Sequence, residues 1–412
     1  MRIGFDGSCL SNRRGFGRFA NRLLSAFVPL AGGRGHEVVV VIDAPSAATV
    51  ELPDGATARV VGVKDAPSAS ASAHGRRRLG DMLAMGRSVA AARLDLMYFP
   101  ATYTFYPVWG VPRLVVTMHD TLPLEHPELV FPTRRGRAAW LLKEYVAVRA
   151  ADRVVTVSDT SKRFLKARYR LGDDRLRVVG EGPDPIFRPI GDDTRADAVL
   201  ARYGVSGSGR FLLYVGGLSP HKNLLRLIEG FARAAPADVS LVLVGDLNDV
   251  FHTHVPEIRR MIAAHALEDR VILTGFVPDA DLVFLYSRAR ALAFPSLLEG
   301  FGLPAVEAMA CGTPVAASRA GSLPEVVGDA GLFFDPLDVD EIGRTLAAIL
   351  DDPARRDRLA AAALHRSARF DWERSASDLL RCFEELAPAR AAGAAPLAGP
   401  HAAGTRRVGE RG

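Results

Sequence analysis

The strongest constraint on this chain is an alternation. Short apolar, β-branched runs recur between helix-period segments along most of its length. Strand candidates in the first half are 2–5, 37–42, 58–61, 96–99, 113–118, 153–157 and 176–179, with helical stretches at 18–30, 76–92, 134–150 and 158–168. In the second half the strands are 211–215, 239–244, 271–274, 291–294, 315–317 and 331–334. Helices are expected there at 223–234, 254–266, 280–288, 304–311, 323–327 and 338–351. Apolar runs of this kind suit strands covered on both faces. Repeated βαβ order then implies an α/β fold of doubly wound parallel sheets.

A chain of 412 residues is too long for one ordinary core. Two Rossmann-like domains are expected, 1–188 and 189–371, joined through the Pro- and Gly-rich segment 181–193. A helix at 372–387 follows and is free to pack back on the first domain; residues 388–412, rich in Ala, Gly, Pro and Arg, read as a disordered tail. Residues 66–75 form a similar small-residue loop.

Apolar residues are 48% and charged residues 24%, as in ordinary globular proteins. The formal net charge of +5 is too weak to argue for nucleic acid. It suits an anionic substrate or a loose contact with an acidic membrane surface. Cys9, Cys311 and Cys382 are far apart and form no CxxC pair, so a reducing cytoplasm is the simple reading. No apolar run approaches the roughly 18 residues of a membrane span. The opening MRIGFDGS enters strand-like sequence directly and leaves no room for a signal peptide.

Ligands of open α/β sheets bind beyond the carboxyl ends of the strands. Four loops there carry chemistry. In GSCLSNRRGFGRF (7–19), Gly15, Gly17 and arginines precede a helix, where free N–H groups favour an anion. The structural alternative is an ordinary βα turn, and the spacing is not the compact G-x-G-x-x-G of dinucleotide enzymes. In VVTMHDTLPLEHPE (115–128), His119 follows an apolar strand; it can donate to a substrate oxygen, or it can simply cap the loop.

In LLYVGGLSPHKNLLRLI (212–228), a strand runs into Gly216 and Gly217, then His221 and Lys222. A lysine near the positive end of a helix is unfavourable unless an anion offsets it, and a diphosphate would. In FPSLLEGFGLPAVEAMACGTPV (294–315), Glu299 lies on a Gly-rich loop. Pro304 fits the first helical position, Glu307 comes about one turn later, and Gly312 ends the helix. Glu299 is placed to take sugar hydroxyls and Glu307 a ribose diol. A first-turn dipole partner would explain Glu307 alone, not both acids.

These residues carry a resemblance. EGFGLPAVEAMACGTPV is similar to the E-x7-E signature of retaining glycosyltransferases of family 4, which have the GT-B fold, and YVGGLSPHKN resembles their glycine–lysine donor loop. TVSDTSKRFL (156–165), HPELVFP and GRFANRLL resemble first-domain segments of mannosyl- and rhamnosyltransferase-like members. The resemblance implies two domains facing a cleft, with a nucleotide-sugar donor mainly on the second. It implies a hexosyltransferase, with GDP-mannose the favoured donor, acting in polysaccharide biosynthesis or on a lipid-linked or small-molecule acceptor.

By the same resemblance Lys222 neutralises the diphosphate, Glu299 holds sugar hydroxyls, Glu307 the ribose, and His119 the sugar or β-phosphate. Gly15 and Gly17 border the diphosphate, served also by the N–H groups of Phe301, Gly302 and Leu303. His221 stands where many relatives have Arg, so the diphosphate has one fewer permanent cation unless Arg13, Arg14 or Arg18 compensates.

No DxD-like pair sits in a metal position, so no metal and no cofactor are expected. The rivals are a GT-B nucleotide-sugar epimerase, a non-catalytic nucleotide-sugar binder and a dehydrogenase. Residues 74–94, basic at the start and partly amphipathic, are a candidate contact with the inner face of the membrane, against the simpler reading of a surface helix.

Overall fold

The computed structural model describes residues 1–12, 15–64, 78–131, 133–191, 194–205, 209–247 and 254–386. Arg13, Arg14, the 66–75 loop, residues 74–77 of the proposed membrane-contact segment, and residue 387 with the 388–412 tail lie outside the described residues.

The first half is built from β1 (Arg2–Asp6), α1 (Gly15–Gly33), β2 (Glu37–Asp43), α2 (Ala44–Ala47), β3 (Ala56–Val61), α3 (Leu79–Ala91) and β4 (Leu96–Phe99). It continues with β5 (Arg113–Met118), α4 (Leu122–Glu125), α5 (Pro127–Val130), α6 (Arg134–Ala150), β6 (Arg153–Thr156), α7 (Asp159–Tyr169) and β7 (Leu176–Val178). These strands form one sheet ordered β3-β2-β1-β4-β5-β6-β7, every pair parallel.

The second half opens with α8 (Ala196–Arg202), β8 (Arg210–Val215), α9 (Leu224–Ala234), β9 (Val239–Val244), α10 (Val255–Ala264), β10 (Val271–Gly275), α11 (Asp279–Arg288) and β11 (Ala291–Phe294). Then come α12 (Leu303–Ala310), β12 (Val315–Ser318), α13 (Leu323–Val327), β13 (Gly331–Phe334), α14 (Val339–Leu350), α15 (Pro353–Ser367) and α16 (Trp372–Leu386). Its sheet runs β10-β9-β8-β11-β12-β13, again all parallel.

Local chemistry explains the elements. In β2, Val38 to Ile42 are all buried, so both faces of the sheet are covered. In α1, Phe19, Leu23, Phe27 and Ala31 repeat every fourth residue and bury one stripe. Thr133, Ser158 and Asp338 cap α6, α7 and α14 by accepting from backbone N–H groups near the helix start.

The short helices α2, α4, α5 and α8 escape the sequence reading, and so does one long helix, α15. In α15 only Leu359, Ala363 and Ser367 are buried, so its Ala- and Arg-rich sequence shows little apolar stripe. Its signal was local: Asp352 caps it by accepting from the Arg355 N–H, and Pro353 opens it. A smaller correction concerns α12, which begins at Leu303, so Pro304 is its second residue.

The last helix, α16, lies on the first sheet's side of the molecule. Phe383 packs on Phe27 and Tyr98, with ring centroids 5.6 and 5.4 Å away. Glu385 bonds both Arg153 and Arg177, at 2.6 and 2.8 Å.

In each sheet the strand order reverses at a neighbouring pair: β1 beside β4, and β8 beside β11. A crevice opens at such a switch point. The loops following β8, β11 and β5 carry Lys222, Glu299 and His119, and the loop after β1 leads into the first turn of α1, which carries Gly15 and Gly17. Topology therefore gathers four loops that are up to about three hundred residues apart in sequence.

Candidate functional site

The second half supplies a cation and an acid. After β8 the chain passes Gly216 and Gly217, whose carbonyl accepts from the Tyr214 hydroxyl at 2.6 Å, and enters a single 3-10 turn, Pro220–Lys222. Asn223 follows in the left-handed region, φ 59° and ψ 31°. Asn tolerates that region better than most residues. Its buried amide donates to the carbonyls of Pro295 and Pro336, at 3.1 and 2.7 Å. The Leu297 N–H donates to the His221 carbonyl at 2.8 Å. The Lys222 loop is thus tied to the loop after β11.

There Lys222 Nζ donates to Glu299 Oε1 at 2.6 Å, with both side chains less than one-fifth exposed. Ser322 braces the acid's loop, its hydroxyl donating to the carbonyls of Glu299 and Phe301 at 3.1 and 2.8 Å. Gly302, at φ 107°, turns the chain into α12. Phe301 is buried edge-on against Phe370, and Leu303 is half-buried. Among the described residues, none accepts a hydrogen bond from the backbone N–H of Phe301, Gly302 or Leu303. Unpaired donors at the positive end of a helix such as α12 suit an anion.

His221 is not a permanent cation in this arrangement. Burial, with the Lys222 charge beside it, pushes its imidazole well below the ordinary value, so it is neutral at pH 7. Its Nδ1 lies 3.2 Å from the Ser219 hydroxyl.

The first half contributes His119, which is buried against the edges of Phe16 and Phe19. Its Nε2 donates to the Pro100 carbonyl at 2.7 Å, because a carbonyl can only accept. Nδ1 faces Glu181 Oε1 at 3.6 Å. The ring N–H is therefore engaged inside the domain in this arrangement, not presented to a ligand. Burial pushes the Glu181 carboxyl above its ordinary range, against the pull of His119. Burial pushes Asp120 up as well, His119 again opposing. Glu181 lies in the segment that the sequence marks as a linker; nothing in its composition signals a buried acid behind His119.

Gly15 opens α1 with free space around it, whereas Gly17 has no room for a Cβ, which would strike the Asn12 carbonyl. The two glycines differ in role: one permits approach from outside, the other lets the turn close on itself.

Among the described residues, Glu325 of α13 joins the halves by accepting from the N–H groups of Asp159 and Thr160 at the start of α7, at 2.8 and 2.9 Å, and two further contacts lie at the crevice. A Cβ on Gly300 would strike the His119 carbonyl and come within 2.9 Å of Asp120 Cβ, so the two loops touch backbone to backbone. Second, Arg18 of α1 reaches Glu307 Oε1 of α12 at 2.7 Å and Asp279 at 3.3 Å. Glu307 is 1% exposed and also accepts from the Tyr286 hydroxyl at 3.0 Å. Burial pushes the Glu307 carboxyl above the ordinary glutamate range, against the pull of Arg18. Glu307 is thus enclosed by protein partners. The sequence placed it beside a ligand and did not foresee Arg18 upon it.

The arrangement combines Lys222, free backbone donors and a helix start around one crevice. Carboxylates at Asp120, Glu181, Glu299, Glu307 and Asp279 outnumber the cations there, so the positive potential of the crevice comes from Lys222, Arg18 and backbone dipoles. Such preorganised charges stabilise an anion that develops as a leaving group departs.

Comparison with known proteins gives the same picture. A family model described as Glycosyl transferases group 1 matches residues 199–366, and one described as Glycosyltransferase Family 4 matches residues 14–186. The O-antigen chain mannosyltransferase B of Escherichia coli is 31% identical over 287 residues, covering 68% of this chain and 73% of that protein. A D-inositol 3-phosphate glycosyltransferase of Acidothermus cellulolyticus is 35% identical over 300 residues, covering 70% of this chain and 66% of that one. The crystal structure of Anabaena HepE in complex with UDP-glucose superposes with a TM-score of 0.69 at 22% identity, covering 94% of this chain and 99% of that one.

Proposed function

The chain belongs to the family 4 glycosyltransferases of GT-B fold, and on that premise we propose that it transfers a hexose, mannose first, from a nucleoside-diphosphate sugar to a glycan or lipid-linked acceptor with retention. The observation that carries this is the Lys222–Glu299 pair, 2.6 Å apart at the switch point of the second sheet. An arriving diphosphate takes the ammonium, and Glu299 is released to accept from sugar hydroxyls. The N–H groups of Phe301 to Leu303 reach the same phosphate oxygens. Mannose is favoured by the O-antigen mannosyltransferase relative; UDP-glucose, as in the HepE complex, and an inositol phosphate acceptor are the next candidates.

In this reading the bond from the anomeric carbon to the diphosphate breaks as the acceptor hydroxyl attacks from the same face. The departing phosphate oxygen takes the acceptor proton. Lys222 and the start of α12 take the leaving-group charge in place of a metal ion.

A thermal-shift panel of GDP-mannose, UDP-glucose, GDP, UDP and NAD, with and without Mg2+, tests this on wild type and Glu307→Ala. A ligand at about 100 times its Kd stabilises by about 2.7 kcal/mol. The expected result is a metal-independent shift with one nucleotide-sugar, smaller in the variant. A shift with NAD alone, or none, overturns the reading. Product analysis with the responding donor then separates transfer from epimerisation.

We also propose that this enzyme works in the cytoplasm at the inner face of the membrane. No helix among the described residues is long and apolar enough to cross one. We place the contact on α6; α3, the helix of the 74–94 segment, also exposes Leu79 and Leu83, at 77 and 45%. On α6, Leu142, Tyr145 and Val146 are 65, 50 and 44% exposed, flanked by exposed Arg134, Arg135, Arg137 and Arg149. An apolar stripe edged by arginines fits an anionic lipid surface. Leu142→Glu is expected to reduce co-sedimentation with phosphatidylglycerol vesicles several-fold without moving the thermal transition. Equal sedimentation of both proteins would remove α6 from the account.

A further inference from the structure

Arg18 holds the acid that the nucleotide needs. Its guanidinium lies 2.7 Å from Glu307 Oε1 and 3.3 Å from Asp279 Oδ2, above the ring of Phe187 at 5.8 Å. Burial works against its charge, but Glu307 and Asp279 hold it more firmly protonated than an ordinary arginine. The other oxygen of Glu307 accepts from Tyr286. Both oxygens are therefore engaged, and the residue is sealed from solvent. A ribose diol cannot reach Glu307 unless Arg18 leaves.

Where Arg18 can go is fixed by its position. It sits in the first turn of α1, three residues from Gly15, whose surroundings are open. This is the helix start that borders the proposed diphosphate. A guanidinium suits two phosphate oxygens as well as two carboxylate oxygens, since both match its planar fork.

We propose that Arg18 is an internal stand-in for the donor: it occupies the ribose acid in the empty cleft and passes to the diphosphate when a nucleotide binds. This deepens the nucleotide-sugar reading above and rests on it. The exchange gives the site a selectivity that neither acid supplies alone. A nucleoside without phosphates must break the Arg18 contacts and offers the guanidinium nothing in return. A nucleoside diphosphate offers a new partner. An occupied site weakens apparent affinity by the fraction of molecules in which it is free.

The test compares guanosine with GDP, and uridine with UDP, by isothermal titration on wild type, Arg18→Ala and Arg18→Lys at low salt. With the pair that wild type recognises, Arg18→Ala is expected to bind the nucleoside at least fivefold tighter and the diphosphate at least tenfold weaker. Arg18→Lys keeps the charge but not the fork and is expected to lie between, so the comparison survives if the alanine variant fails to fold. Opposite movement of the two ligands is the signature. A merely structural role would move both the same way, and that result, or no change in either, overturns the exchange while leaving the nucleotide site standing. If wild type binds neither GDP nor UDP, the nucleotide reading itself falls, and the exchange with it.

Discussion

Lys222→Ala is expected to lower kcat by about 10²- to 10³-fold, the usual loss when one preorganised donor to a developing oxyanion is removed. Among the described residues, Lys222 is the cation paired to Glu299 at the switch point, and His221 beside it is neutral. No neighbour on that loop can take over. The variant also leaves Glu299, 13% exposed at its side chain, without its cation. That costs about 1–3 kcal/mol of stability. The two effects separate in Lys222→Met/Glu299→Gln, which should recover most of the stability and none of the activity. Steady-state kinetics with the responding donor, with denaturant melts alongside, measure both. A kcat for Lys222→Ala within fivefold of wild type would exclude Lys222 from the leaving-group role.

Gly300→Val carries the second large effect. The new side chain would meet the His119 carbonyl, a backbone atom that cannot rotate away. The loop bearing Glu299 must then withdraw from the first half. Displacing a positioning loop by about 1 Å typically costs about 10²-fold in rate. The overpacking itself costs about 1–3 kcal/mol. The comparison variant is Gly32→Ala, near the end of α1, where a Cβ meets open space; it should match wild type in both measurements. If Gly300→Val retained full kcat/KM, the backbone contact between the two loops would be irrelevant to catalysis.

Both variants act where sequence and structure divide differently. Lys222 and Glu299 were legible because each breaks a local rule. A lysine beside a helix start and an acid on a Gly-rich loop have no structural use by themselves. Glu307 was legible by its spacing, but its present partner was not. Arg18 is one of two arginines on an otherwise ordinary amphipathic helix, and the sequence offered it only as a cation for the diphosphate. Glu181 hides in a Pro-rich segment, and Asn223 reads as the first residue of a helix. Ser322 braces the Glu299 loop from 23 residues away. Helix α15 lacked the apolar period by which helices are found.

The sequence by itself determined the two parallel α/β halves and which loops carry the candidate residues, because hydrophobic period and turn chemistry act over a few residues. The tertiary structure alone decided which charges meet. Lys222 finds Glu299 because β8 and β11 are neighbours, and Arg18 finds Glu307 because the two halves face each other. It also set the charge of His221, since a pKa follows the burial and neighbours that folding imposes. Coulomb energy depends on separation and desolvation in three dimensions, and neither is written in the order of residues along the chain.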